Sequence, residues 1–168
     1  MKQFFLAVLA LVFFSCSGNR KQADASVPSF ELDNLMAVVE QEVDNTITVA
    51  GYVTHTCKHS GKKCFIVGES QKTSLRVEAT GEIETFSPEL IGSKLAITGV
   101  LREYHLDQEY IDEMENSVKL QQEGGAPAEA CAAELSNISD MRQWMKDHDK
   151  DYYVIYYMDG LEYEVLDE

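Results

Sequence analysis

Between Asn45 and Cys57 the chain alternates with a period of two. Ile47, Val49, Gly51, Val53, His55 and Cys57 fall on one face, and Thr46, Thr48, Tyr52, Thr54 and Thr56 fall on the other. An alternation this long, rich in β-branched residues, defines a strand with one buried face. Gly51 in its middle predicts a bend, a bulge or the close approach of another backbone. A strand of this kind needs partners, and they follow at Cys64 to Glu69 and at Ser74 to Ala79, where Leu75, Val77 and Ala79 alternate with Ser74, Arg76 and Glu78.

Glu82 to Leu90, with Ser87-Pro88, predicts a short helical connection or turn, and Lys94 to Tyr104 alternates again, with Leu95, Ile97, Gly99 and Leu101 on one face. A long bent strand, two shorter ones, a short connector and another glycine-broken strand resemble the first four strands of an OB-fold barrel. The resemblance implies a fifth, closing strand, and the next segment does not supply it. Asp107 instead caps a helix carrying Ile111, Met114 and Val118 on one face.

Gly124, Gly125 and Pro127 end that helix, and residues 123–130 read as a linker. A second helix opening at Ser136 or Ser139 aligns Leu135, Ile138, Met141, Trp144, Met145 and His148, with the tryptophan as core filler. Asp159-Gly160 between Tyr152–Met158 and Leu161–Leu166 predicts a terminal hairpin, packed on the helix or joined to the barrel as its missing closure. The fold expected is therefore α+β and mainly β: an OB-like barrel with a helix over residues 30–122, then helix plus hairpin over 131–168. Residues 30–43, with Leu32, Leu35, Met36, Val39 and Val43 on one face, add a short helix laid against the barrel.

At the start, Lys2 precedes an apolar run from Phe4 to Phe14, too short to span a bilayer. With Ser15-Cys16 behind it, the run resembles the signal and lipobox of bacterial lipoproteins. That resemblance implies removal of residues 1–15, lipidation of Cys16, and a tether over residues 16–29. The chain carries a formal net charge of −15, and losing Lys2 makes the remainder more negative. So acidic a surface repels nucleic acid and anionic lipid, so no nucleic-acid partner is expected.

The chemistry concentrates in the loop from His55 to Cys64, reading His-Thr-Cys-Lys-His-Ser-Gly-Lys-Lys-Cys. Cys57 and Cys64 end and begin adjacent strands, and across a hairpin they fall within reach of a disulfide. Outside the cytoplasm such a pair tends to oxidise. The competing expectation is a metal site of Cys57, His59 and Cys64, with His55 as an auxiliary and Cys131 as a further ligand, donors suited to zinc or copper. With Cys16 lipidated, the remaining Cys57, Cys64 and Cys131 cannot all pair within one chain. Lys58, Lys62 and Lys63 make the loop the most basic of an acidic protein and form an expected anion site for a phosphate or a carboxylated glycan.

Catalytic signatures are missing: Gly-x-Ser-x-Gly, His-Glu-x-x-His and Cys-x-x-Cys do not occur. The whole is similar to the small OB-fold lipoproteins of Gram-negative envelopes, a class whose ligands vary. That resemblance implies a non-enzymatic binding module held by its lipid, at the outer membrane facing the periplasm. Its partner would be a small ligand or another envelope protein. The His-x3-Tyr motif of periplasmic haem chaperones is not met, since four residues separate His105 and Tyr110.

Overall fold

The computed structural model describes residues 26–166. The expected signal, the lipidated Cys16 and most of the tether lie outside them. Six strands and four α-helices follow in the order β1 (Ser29–Glu31), α1 (Leu32–Leu35), α2 (Val39–Glu42), β2 (Thr46–Thr56), β3 (Lys63–Val67), β4 (Ser74–Ala79), β5 (Lys94–Asp107), α3 (Gln108–Glu123), α4 (Ala128–Asp147) and β6 (Tyr152–Leu166). A single 3₁₀ turn, Pro88–Leu90, precedes β5.

Strands β2, β3, β4, β6 and β5 hydrogen-bond in that order, and β5 returns to β2, so the sheet closes into a five-stranded barrel. All pairs are antiparallel except β4 with β6. This is an OB-fold-like α+β architecture. β2 serves two neighbours, pairing with β5 through Thr46–Tyr52 and with β3 through Tyr52–Thr56. Gly51 sits at this handover, where a Cβ would lie 3.0 Å from the Val67 carbonyl oxygen, so close backbone approach explains the glycine. β1 adds a short parallel strand along β2 from Thr48 to Ala50.

The inward residues are those of the period-two pattern: Ile47, Val49, Val53, Ile66, Leu75, Val77, Leu95, Ile97 and Leu101, joined by Cys64 and Met158. Leu32, Leu35 and Val39 from the two short helices and Ile83 and Phe86 from the β4–β5 connection complete this core. The single helix expected over residues 30–43 is thus two one-turn helices preceded by a strand.

The largest departure is at the C-terminus. Asp159-Gly160 makes no turn, and β6 runs straight through it as one strand. The type I′ turn that Asp-Gly favours needs positive φ at both central residues, and neither residue has it. β5 offers a continuous partner from Lys94 to Asp107, and β6 pairs along its whole length, shifting register by one residue at Gly99 and Gly160. Asp159 accepts a hydrogen bond from Arg102 Nε at 2.9 Å. A Cβ on Gly99 would collide with the Asp159 carbonyl oxygen. A Cβ on Gly160 would likewise lie 2.7 Å from the Val77 side chain, so both residues of the turn-like pair serve the strand, and β6 supplies the barrel closure that the sequence left open.

Beyond the barrel, the ends of β5 and β6 continue as a two-stranded ribbon carrying an α3–α4 hairpin. Asp107 caps α3 by accepting from the Tyr110 amide at 2.8 Å. Ile111, Val118, Cys131, Ile138 and Met145 form a second core with Leu106, and Trp144, Tyr153 and Ile155 pack on it. α4 starts at Ala128, not at Ser136 or Ser139, because the run Ala128-Glu-Ala-Cys-Ala-Ala-Glu consists largely of strong helix formers. Cys131 is accordingly a buried residue of α4. Among the described residues no helix is long and apolar enough to cross a membrane.

Candidate functional site

The β2–β3 hairpin holds most of the residues singled out in the sequence, and one irregularity sorts them. Val53 pairs with Ile66 and His55 with Phe65, so Thr54 is an extra residue in β2. A bulge of one residue reverses which side chains face the core. Thr56 therefore turns inward, with 1% of its surface exposed, and His55 turns to solvent. The expected inward face of His55 and Cys57 is corrected accordingly.

The bulge also separates the two cysteines. Cys64 pairs with Thr56 and points into the barrel core, fully buried. Cys57, one residue further along, lies half-buried on the loop, with its amide donating to the Lys63 carbonyl at 2.8 Å. Adjacent strand positions face opposite sides, so the two sulfurs diverge and both remain free thiols, as does Cys131 in the second core. The Cys57–Cys64 disulfide does not form in this structure. With His55, Cys57 and His59 outside, Cys64 in the barrel core and Cys131 in the second core, the expected ligands Cys57, His59, Cys64, His55 and Cys131 are not gathered. Among the described residues no group of three or more His, Cys, Asp or Glu is placed to hold a metal ion.

The thiols differ in chemistry as well as place. The Ser60 hydroxyl donates to Cys57 Sγ at 3.4 Å, and with the amides of Ser60, His59 and Gly61 it lowers the Cys57 thiol to about 7. Burial alone pushes Cys64 up to about 12. The lysines diverge too: Lys62 Nζ donates to the Glu84 carbonyl at 2.7 Å, Lys63 sits 3.6 Å from Glu78, and Lys58 is exposed. They do not converge on one anion.

A different set does come together on the outer barrel surface. The strand registers place His55, Phe65, Arg76, Tyr157 and Arg102 side by side across β2, β3, β4, β6 and β5. His55 and Phe65 rings lie 5.9 Å apart. The Arg76 guanidinium sits 4.9 Å from the Tyr157 ring centre, within cation–π range. Arg76 Nε is 3.2 Å from a Glu78 carboxylate oxygen but is misaligned for a hydrogen bond, which leaves that buried donor without a partner. Arg102 is held by Asp159 and Asp44. The row thus runs ring, ring, guanidinium, ring, guanidinium, with Lys63 at its margin.

Of this row the sequence points to His55 as a candidate ligand and to Tyr157 only as one of five C-terminal tyrosines that could stack on sugars or bases, a reading less favoured than that of ordinary amphipathic strand residues. Phe65, Arg76, Tyr157 and Arg102 each occupy an outward position of an alternating strand. Their alignment depends on the parallel β4–β6 pairing, which no local pattern encodes.

No family model and no curated protein matches the chain. Among solved structures, the chain is similar to a candidate aspartyl-tRNA synthetase from Leishmania major Friedlin, at 11% identity and a TM-score of 0.41. That alignment covers 89% of this chain and 23% of the other. A likeness of that size carries no argument about function.

Proposed function

We propose that the protein is a non-enzymatic binding module of the bacterial envelope, tethered through a lipid on Cys16, that takes its ligand on the outward row from His55 to Arg102. The observation that carries this reading is the row of three rings and two guanidinium groups set side by side across five strands. Phe65 and Tyr157 offer flat apolar faces to a sugar ring, and Arg76 offers a planar donor fork to a carboxylate. The ligand class is an acidic oligosaccharide. Polyanions of high charge density are disfavoured by the net charge of −15.

The test is to titrate the chain from Ser17 onward with a short uronate-containing oligosaccharide while following backbone amide resonances. Shifts confined to β3, β4 and β6, lost in Arg76→Ala and Phe65→Ala and not produced by a neutral oligosaccharide, are expected. An equal response to the neutral sugar, or no response in the row, would overturn the reading. The anchoring half is tested separately. Cys16→Ser should move the exported protein from the membrane fraction to the soluble one, since lipid chains supply the membrane affinity.

A further inference from the structure

The last turn of α4 and the start of β6 build a second constellation, apart from the outward row. Trp144, the only tryptophan in the chain, stacks on His148 with ring centres 4.2 Å apart and meets Tyr153 edge-on at 5.2 Å. Tyr152 stacks on His105 at 3.9 Å. Between these rings lies an ammonium group: Lys150 Nζ is 5.5 Å from the Trp144 ring centre, 5.6 Å from that of Tyr152, and 3.2 Å from a Glu40 carboxylate oxygen. Trp144 and Glu40 also line a pocket of about 460 Å³ that takes in Met36, Val39, His148 and Tyr156. Burial first, and then the nearby Glu40 and Glu103 carboxylates, push the Tyr156 phenol up to about 12.

Two aromatic faces plus a carboxylate beside an apolar-walled pocket are the recognition chemistry of an organic ammonium ion. The protein already satisfies that chemistry with its own lysine. We infer that this pocket is a binding site for a small alkylammonium ligand, and that Lys150 is an internal occupant which the ligand displaces. The ammonium of the ligand takes the place of Lys150 Nζ between Trp144, Tyr152 and Glu40, and its alkyl part covers Met36 and Val39. The acidic surface raises the local concentration of any such cation.

Because Trp144 is the sole tryptophan, its fluorescence reports directly on the site. The experiment titrates n-butylammonium and tetramethylammonium, in separate arms, into the chain from Ser17 onward and into Lys150→Ala, with tert-butanol as an uncharged control. Lys150→Ala should bind at least one of the amines about ten-fold more tightly than the unaltered chain, because the competing internal cation is gone. The arm that responds states whether the site takes primary or quaternary ammonium. Adding Glu40→Gln to Lys150→Ala should weaken binding again by about ten-fold. Lys150→Ser serves the same purpose if Lys150→Ala loses its folded circular dichroism spectrum. A folded Lys150 variant whose fluorescence shows no saturable change with either amine would overturn the inference. So would an equal response to tert-butanol. Lys150 would then be a strut joining α4 to α2 and nothing more.

Discussion

Two cysteines seven positions apart in one hairpin have thiols shifted in opposite directions, Cys57 down to about 7 and Cys64 up to about 12. The first sits on a rim of loop amides and a serine hydroxyl that favour the thiolate. The second sits among Ile66, Val77 and their neighbours, where nothing solvates a charge. Cys64 faces inward by the regular alternation of β3, in phase with Ile66, and what parts Cys57 from it is the single extra residue in β2, which sends Thr56 inward and leaves His55 and Cys57 outside. The lesson is that the chemistry of this hairpin is decided by register and not by composition, because without the bulge His55 and Cys57 would face the core beside Cys64.

The sharpest way to break that comparison is alkylation. At pH 7 a thiol at about 7 is about half thiolate, and one at about 12 is thiolate in roughly one molecule in 10⁵. In the chain from Ser17 onward, iodoacetamide at neutral pH should therefore label Cys57 alone while the protein is folded, with Cys64 and Cys131 reacting only after denaturation. The rate should rise with pH through a midpoint near 7. Ser60→Ala should move that midpoint upward toward an ordinary thiol, since the Ser60 hydroxyl is the largest cause of the shift. The folded loop favours the thiolate, so Cys57 contributes stability above its unfolded pKa and loses it as pH falls through about 7. Labelling of Cys64 at the Cys57 rate would show that the faces had been assigned the wrong way round.

Neighbouring residues give the next contrast. Ile66 is fully buried and Phe65, beside it, lies half-buried on the outward row. Ile66→Ala should destabilise the barrel by about 2–5 kcal/mol, combining lost burial with the cavity left behind. Phe65→Ala should cost less, about 1 kcal/mol, because only part of its ring leaves a packed surface. Urea denaturation of both variants measures the difference. The ligand titration should respond in reverse, with Phe65→Ala abolishing the shifts and Ile66→Ala, while still folded, retaining them.

Much of the interior was legible before any coordinates. Ile47, Val49, Val53, Leu95, Ile97 and Leu101 alternate with polar residues, so a core face is written into β2 and β5, and Asp107 announces the start of α3. The bulge was not legible, because Thr54, His55, Thr56 and Cys57 offer no apolar marker on either side of it and a one-residue slip leaves the pattern equally plausible. Asp159-Gly160 misled for a different reason. Turn chemistry is local, whereas the extended path of β6 is imposed by a long partner strand, by the Arg102 ion pair and by the approach of Gly99. The site row was invisible because its members come from five strands whose lateral alignment exists only once the barrel has closed.

The finest test of the two faces uses two threonines. Thr56 Oγ1 is buried with no hydrogen-bond partner, whereas Thr54 Oγ1, exposed at the bulge, donates to the Phe65 carbonyl at 3.2 Å. An unsatisfied buried hydroxyl has lost its water without replacement, and that desolvation penalty persists for as long as the protein is folded. Thr56→Val keeps the branched shape that the strand favours and removes the stranded oxygen, so it should raise stability by about 1 kcal/mol, a few degrees in Tm. Thr54→Val gives up a solvent-exposed hydrogen bond that water readily replaces, and should change stability by less than about 0.5 kcal/mol. A loss of stability in Thr56→Val would mean that its hydroxyl is solvated or paired after all. Thr56 would then belong to the rim with Cys57, and the boundary between the binding surface and the core would shift one residue toward Cys64.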